Sequence, residues 1–199
     1  MDTTRVDTDT AMADRLIIGV SGASGAPIAV ELLRQLRENH PKIETHLIVS
    51  RGAELTLRQE CGMGVEDLKA LAGVFHESDA IGASIASGSF RTIGMIVAPC
   101  SMKTVAGIAS GYSDNLMLRA ADVCLKERRK LVLCARENPL STIHLRNLYD
   151  LSRMGAVILP PMMTYYQKPE QVEDMTRHIV GKLLDQFGLD SPGFCRWEG

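Results

Sequence analysis

The chain is poor in aromatic residues (5% of 199, with one tryptophan) and has no excess of either charge: 22 Lys and Arg against 24 Asp and Glu leave a formal net charge of −2. With its cations spread along the chain, it offers no basic stripe to a nucleic acid or an anionic membrane surface. Long apolar runs are missing as well. The longest, at 95–99 and 156–161, fall far short of the roughly 20 residues a membrane helix needs, so neither nucleic acid nor membrane is an expected partner. Five cysteines, at 61, 100, 124, 134 and 195, are odd in number and show no C-x-x-C spacing, which speaks against a disulfide framework or a thiolate metal site. A reducing cytoplasm is the expected compartment. The five histidines form no pair at metal-ligand spacing, and no D-D-x-x-D cluster is present to hold Mg²⁺ around a diphosphate. No metal is expected.

What is there is a 45% apolar, 23% charged composition that suits one domain with a sizeable core. Short β-branched or apolar runs at 15–20, 43–50, 94–99, 130–135 and 156–159 alternate with helical patterns at 27–39, 53–60, 65–72, 102–109, 114–129, 141–154 and 169–187. This alternation predicts an α/β fold: a doubly wound, Rossmann-like or flavodoxin-like parallel sheet with helices on both faces, in a single domain. In the first helix, Ile28, Leu32, Leu33 and Leu36 recur at helical spacing behind Pro27, a residue suited to a first turn. The Thr- and Asp-rich residues 1–14 read as a disordered extension, 15–190 as the domain and 191–199 as a tail.

In such sheets ligands bind outside the carboxyl ends of the strands, so the loops that follow each strand carry the functional reading. The first, with Gly19, Gly22 and Gly25 at three-residue intervals, is neither G-x-G-x-x-G nor a P-loop. Its N–H groups and the Ser21 and Ser24 hydroxyls suit a phosphate or the polar edge of a flavin at a helix N-terminus; a tight turn with capping serines is the alternative. After the second strand stands Ser50-Arg51, where NAD enzymes place an acid for the ribose. FMN is therefore favoured over NAD, with Arg51 leaving NADP open.

The remaining loops supply hydroxyls, cations and one carboxylate. Ser101 is placed to cap a helix while Lys103, Thr104 and backbone donors face a ligand. Arg119 and Lys126 lie seven residues apart on one helix face, roughly 10 Å along the axis, with Asp122 between them as a possible ion-pair partner. A solvated charged seam, with Lys126, Arg128 and Arg129 complementing the helix C-terminus, is the alternative. Arg136-Glu137 follows the fourth apolar run, where side chains project over the sheet edge. Tyr165 and Tyr166, past the Pro160-Pro161 corner, are placed to cover an apolar ligand and donate to a phosphate. The ten methionines read as core filler.

Taken together, several segments carry a family resemblance: Gly19-Val-Ser-Gly-Ala-Ser-Gly-Ala26, Pro99-Cys-Ser-Met-Lys-Thr-Val-Ala-Gly-Ile108, Ser113-Asp-Asn-Leu116, Arg119-Ala-Ala-Asp-Val123, Leu125-Lys-Glu-Arg-Arg129, Arg136-Glu137, Pro139-Leu140, Ile143-His-Leu145 and Leu184-Asp185. The chain resembles the flavin prenyltransferases of the UbiX type, including the B subunits associated with hydroxyarylic acid decarboxylases, from about residue 15 to 189. The resemblance implies transfer of a dimethylallyl group from dimethylallyl phosphate to reduced FMN, at N5 and C6, to make prenylated FMN for a UbiD-type decarboxylase. It places flavin contacts on Gly22, Ala23, Ser24, Ser50, Ser101, Met102, Lys103, Thr104 and Arg136. Prenyl-phosphate contacts fall on Arg119, Lys126, Tyr166 and Lys182, and catalytic roles on Glu137 and Ser24. A homo-oligomer is implied, with the dodecamer among the assemblies of relatives.

Two departures stand out. Lys182 replaces an arginine common among relatives, keeping the charge but losing the bidentate fork. Ile81 stands where some relatives have a tryptophan, and Phe90 follows the Ala86-Ser-Gly-Ser89 segment. The terminal Arg196-Trp197 pair also resembles a family feature placed to close over the site. In this reading, preorganised cations, Lys126, Arg136 and Lys182, gather over the sheet rim and take the part a metal plays elsewhere, while Glu137 shuttles protons. Two other readings remain open: an FMN-dependent cysteine-type decarboxylase on a related sheet, and a non-catalytic flavin-holding subunit of an aromatic acid decarboxylase.

Overall fold

A computed structural model describes residues 14–197. The extension expected over 1–14 lies outside the described residues except for Asp14, which opens the first strand. Six parallel strands, β1 (Asp14–Val20), β2 (Ile43–Val49), β3 (Val74–His76), β4 (Gly94–Cys100), β5 (Lys130–Ala135) and β6 (Val157–Ile158), form one sheet in the order β3-β2-β1-β4-β5-β6. This is the doubly wound sheet that the alternating pattern predicts. With the short edge strand β3 set aside, the other five follow the flavodoxin-like order. Three residues are too few to show alternation, so β3 has no periodic signal of its own; it is held by pairing of His46 with Val74 and Ile48 with His76.

Successive strand residues point to opposite faces, and the two cores follow from that. Leu16, Ile18 and Val20 of β1, with Ile96 and Val132, pack against α1 (Ala26–Asn39), α2 (Arg51–Cys61) and α7 (Val172–Asp185). Ile17, Met95, Val97, Leu131 and Leu133 pack on the other face against α4 (Met102–Ala109), α5 (Leu116–Lys126) and α6 (Thr142–Arg153). The expected stripe of α1 is buried, Leu32 and Leu33 completely. Burial of each such side chain stabilises the fold by about 1.5–3 kcal/mol, and Leu32→Ala should cost about 2–5 kcal/mol.

Helix ends shift where capping overrides periodicity. The helix read at 114–129 starts at Leu116, because the Asn115 side chain accepts the Leu118 N–H at 3.0 Å, and it stops at Lys126 before Arg128 at φ 56°. The helix read at 169–187 starts at Val172, because Asp174 accepts the N–H groups of Glu170 and Gln171 at 3.0 and 3.1 Å and holds the preceding turn. α2 begins at Arg51, two residues early, capped by Ser50. A short helix, α3 (Val65–Lys69), follows it. The apolar residues on several sides of α5 are explained by burial within the chain. Residues 191–197 fold back on α7: Phe194 lies so close to Gly181 that a Cβ there would sit 2.5 Å from it, and Arg196 meets Asp185 at 2.6 Å.

Candidate active site

The strand order reverses between β1 and β4, so a crevice opens at their carboxyl ends. Ser21, at the end of β1, joins the two strands: its hydroxyl donates to the Pro99 carbonyl at 2.9 Å and accepts the Ser101 N–H at 2.7 Å. It is 1% exposed, so this serine ties the sheet edge together instead of facing a phosphate. Gly22 comes next, against Gly52 at the start of α2. A Cβ on Gly22 would lie 2.8–2.9 Å from Gly52 main-chain atoms, so the two loops touch through their backbones.

Beside this contact lies a cavity of about 740 Å³, lined by Gly22, Ser50, Ser101, Lys103 and Thr104 together with Arg51 and Asn115. Ser50 caps α2 and Ser101 caps α4, the latter also 3.1 Å from the Thr104 hydroxyl. Two helix N-termini therefore open on one space whose volume suits a cofactor ring system. Small residues for close approach and N–H groups for a polar edge fit a flavin. Among the other residues expected to touch flavin, Met102 turns its side chain into the core and Ala23 is buried. Neither Ser24 nor Arg136 lines this cavity.

Ser24 and Arg136 are gathered instead around a carboxylate that the sequence reading missed. Glu60, in the last turn of α2, accepts the N–H groups of Gly25 and Ala26 at 2.9 and 2.8 Å. The α1 N-terminus, read as a phosphate site, thus already holds an anion of this chain. Burial pushes the Glu60 carboxyl up, but hydrogen bonds from Gly25, the Ser24 hydroxyl and Ala26, together with the Arg136 charge, outweigh it and hold the group below its ordinary range. Nothing in the spacing signals this, since Glu60 and Gly25 are 35 residues apart and only folding joins them. The Arg136 N–H is bound to the Cys100 carbonyl at 2.9 Å, which fixes the exit of β5; Glu137 follows, exposed, its carboxylate accepting the Asn138 N–H at 3.0 Å.

A second cavity, of about 680 Å³, lies between α7, the loop after β6 and the C-terminal segment, and Tyr166, His178, Lys182 and Trp197 line it. Tyr166 stands edge-on to His178 and Trp197, with ring centroids 5.7 and 5.4 Å apart. Its neighbour Tyr165 is 67% exposed and outside the cavity. Ile81 is exposed, and Phe90 packs edge-on to His46 beneath Arg15, so neither walls this space.

Arg119 and Lys126 line neither cavity. Arg119 pairs at 2.6 Å with Asp122, the partner its place between Arg119 and Lys126 suggests, and donates to the Ala86 carbonyl, and Lys126 pairs with Glu127. α5 begins at the first cavity with Asn115 and runs back toward the start of β5, four residues beyond Lys126. Arg129 reaches the carbonyls of Gly88 and Phe90 instead of its helix end. The expected convergence of Lys126, Arg136 and Lys182 over one rim is therefore not made within a single chain. Among the described residues no group of three or more His, Cys, Asp or Glu is disposed to hold a metal, and no helix is long and apolar enough to cross a membrane.

A sheet of this topology with such a cleft at its switch point is found in flavin-binding proteins, and the Flavoprotein family profile matches residues 5–184. The chain belongs to that family. Within it, the similarity is to UbiX-type flavin prenyltransferases: a probable UbiX-like flavin prenyltransferase of Escherichia coli O157:H7 is 55% identical over 185 residues, 93% of each chain. The crystal structure of a dodecameric FMN-dependent UbiX-like decarboxylase from the same organism superposes with a TM-score of 0.91 at 55% identity, covering 93% of this chain and all of that one. AnUbiX in complex with FMN and dimethylallyl pyrophosphate also gives a TM-score of 0.91, at 47% identity, covering 94% of this chain and 98% of that one.

Proposed function

We propose that this chain transfers the dimethylallyl group of dimethylallyl phosphate to reduced FMN and supplies the prenylated flavin to a UbiD-type decarboxylase in the cytoplasm. The observation that carries the reading is the pair of unlike cavities, one of glycines and helix caps, the other aromatic with Tyr166 and Lys182, in a chain of this family. Reduced flavin supplies nucleophilic N5 and C6. The allylic C–O bond breaks with its electron pair leaving on phosphate, bonds form at N5 and C6, and two protons leave those atoms, one returning to the prenyl unit and one departing with phosphate. The flavin gains C₅H₈.

The chain's own residues do the rest. Gly22, Ala23, Ser50, Ser101, Met102, Lys103 and Thr104 hold the flavin, the buried Ala23 and Met102 through their main chain. Arg136 adds charge at its edge. Glu137 accepts and returns protons at N5 and C6, with the Ser24 hydroxyl, steadied by Glu60, beside it. Arg119, Lys126, Tyr166 and Lys182 stabilise the negative charge growing on the leaving phosphate. Because Arg119 and Lys126 lie away from Tyr166 and Lys182 in one chain, the site is completed between copies of a homo-oligomer. Five free cysteines are in keeping with a reducing compartment. The domain is taken as 15–190, with 191–199 as a C-terminal tail.

The test is the mass of flavin released after incubation with dimethylallyl phosphate and reduced FMN. A gain of C₅H₈ is expected, and unchanged flavin overturns the reading. The cysteine-decarboxylase alternative draws no support from α1, which contains no histidine.

A further inference from the structure

We propose that His178 is a positioning residue that turns the Tyr166 hydroxyl outward, so that Tyr166 donates its O–H to a phosphate oxygen held beside Lys182. The inference rests on the prenyl-phosphate reading above and names a residue of that site which neither motif nor spacing singles out. His178 is 6% exposed, and its Nε2 lies 3.3 Å from the Tyr166 Oη. Its Nδ1 is buried and, among the described residues, has no hydrogen-bond partner. Phe194 lies against the imidazole with centroids 5.2 Å apart, and Trp197 stands edge-on to Tyr166, so both rings are braced.

A neutral imidazole carries one N–H, and the two possible places for it have opposite consequences. With the proton on Nδ1, a buried donor is left without an acceptor, which folded proteins rarely tolerate. Tyr166 must then give its only O–H to Nε2 and present lone pairs to the cavity, where they repel an anion. With the proton on Nε2, the Tyr166 oxygen accepts it, only a lone pair at Nδ1 goes unmatched, and the phenolic O–H is free to face the cavity. The second arrangement leaves the smaller cost and turns an anion donor toward the cavity that Lys182, one helical turn from His178, also lines.

The charged and titratable groups around the ring come from three elements. Lys182 and Asp185 lie on α7 itself, Tyr166 comes from the loop after β6, and Arg196, paired with Asp185, comes from the C-terminal segment. Burial, with the Lys182 charge adding to it, pushes the imidazole below its ordinary range, so the neutral form prevails near pH 7.

The test uses the full, FMN-loaded chain titrated with dimethylallyl phosphate by calorimetry, with KM and kcat measured alongside. His178→Phe and Tyr166→Phe should each weaken donor binding about tenfold, the value of roughly one hydrogen bond to a charged group. The double variant should be no weaker than Tyr166→Phe alone. His178→Gln, which keeps an N–H donor, should restore most of the affinity, and flavin retention should stay unchanged in all four. Wild-type affinity in His178→Phe, or a further tenfold loss when it is added to Tyr166→Phe, overturns the proposal. ¹⁵N chemical shifts of His178 in the unmutated protein report the tautomer without any variant: protonated Nε2 is expected, and protonated Nδ1 overturns it. Failure of the wild type to bind dimethylallyl phosphate would instead strike the functional reading itself.

Discussion

The two cavities are built from different materials. The one between α2 and α4 is made of main chain and short caps: a Gly22–Gly52 contact, Ser50 and Ser101 at helix starts, and Ser21 locking the strand ends beneath them. All of that is complete in one chain. The one beneath the C-terminal segment depends on the tips of long side chains, and two of the three cations assigned to its chemistry, Arg119 and Lys126, stand elsewhere on α5. A ring system can be seated by backbone that folding alone positions. A dianion that must be gripped and released calls for charges on flexible stems, which a second copy of the chain can bring.

If this contrast holds, damage should sort by side. The largest effect belongs to the proton carrier: Glu137→Gln should keep bound yellow FMN yet lose prenylation by about 10²–10⁴-fold, the range for a removed general acid–base group, read from product mass over time. Next, Lys126→Ala should raise the KM for dimethylallyl phosphate by about 10–100-fold, as expected for one charged hydrogen bond, with the FMN dissociation constant within about twofold of wild type. Parallel loss of both affinities would break the comparison. On the other side, Gly22→Ala forces a methyl to within 2.9 Å of the Gly52 backbone. It should lower stability by about 1–3 kcal/mol and release flavin on gel filtration, while residual donor affinity changes little. On the proposed reading, in which side-chain cations take the part of a metal, EDTA should leave turnover unchanged.

The smallest effect is a pH dependence of stability remote from both cavities. Burial lowers the His46 imidazole against the pull of Glu44, and nearby His76 and Arg15 lower it further; burial also lowers His76. The folded chain then refuses protons that the unfolded chain accepts below the ordinary histidine value of 6.5, so stability should be full above that pH and decline as pH falls through it. His46→Gln should flatten the decline, measured as the urea midpoint between about pH 8 and pH 5.

Much of the architecture was legible because period-2 runs and helical stripes report burial directly, as Leu16, Ile18 and Val20 or Ile28, Leu32 and Leu36 show. Loop positions after strands also located Ser50, Ser101 and Thr104 at the cavity that forms. Contacts between distant segments were not legible. Glu60 reaches the start of α1 from the far end of another helix, Ser21 turns inward to Pro99, and Phe90 is occupied by His46 and Arg15. For Arg119 and Lys126, residue type and face could be read, but the direction in which α5 carries them from the crevice depends on how the helix packs.

The abutment of Gly22 on Gly52 fixes one wall of the proposed flavin slot by atomic radii of the main chain, a boundary that rotamer changes cannot alter. Lining side chains such as Lys103 or Thr104 can therefore be exchanged to retune polarity while that wall stays in place, and shifting it would require moving a whole helix.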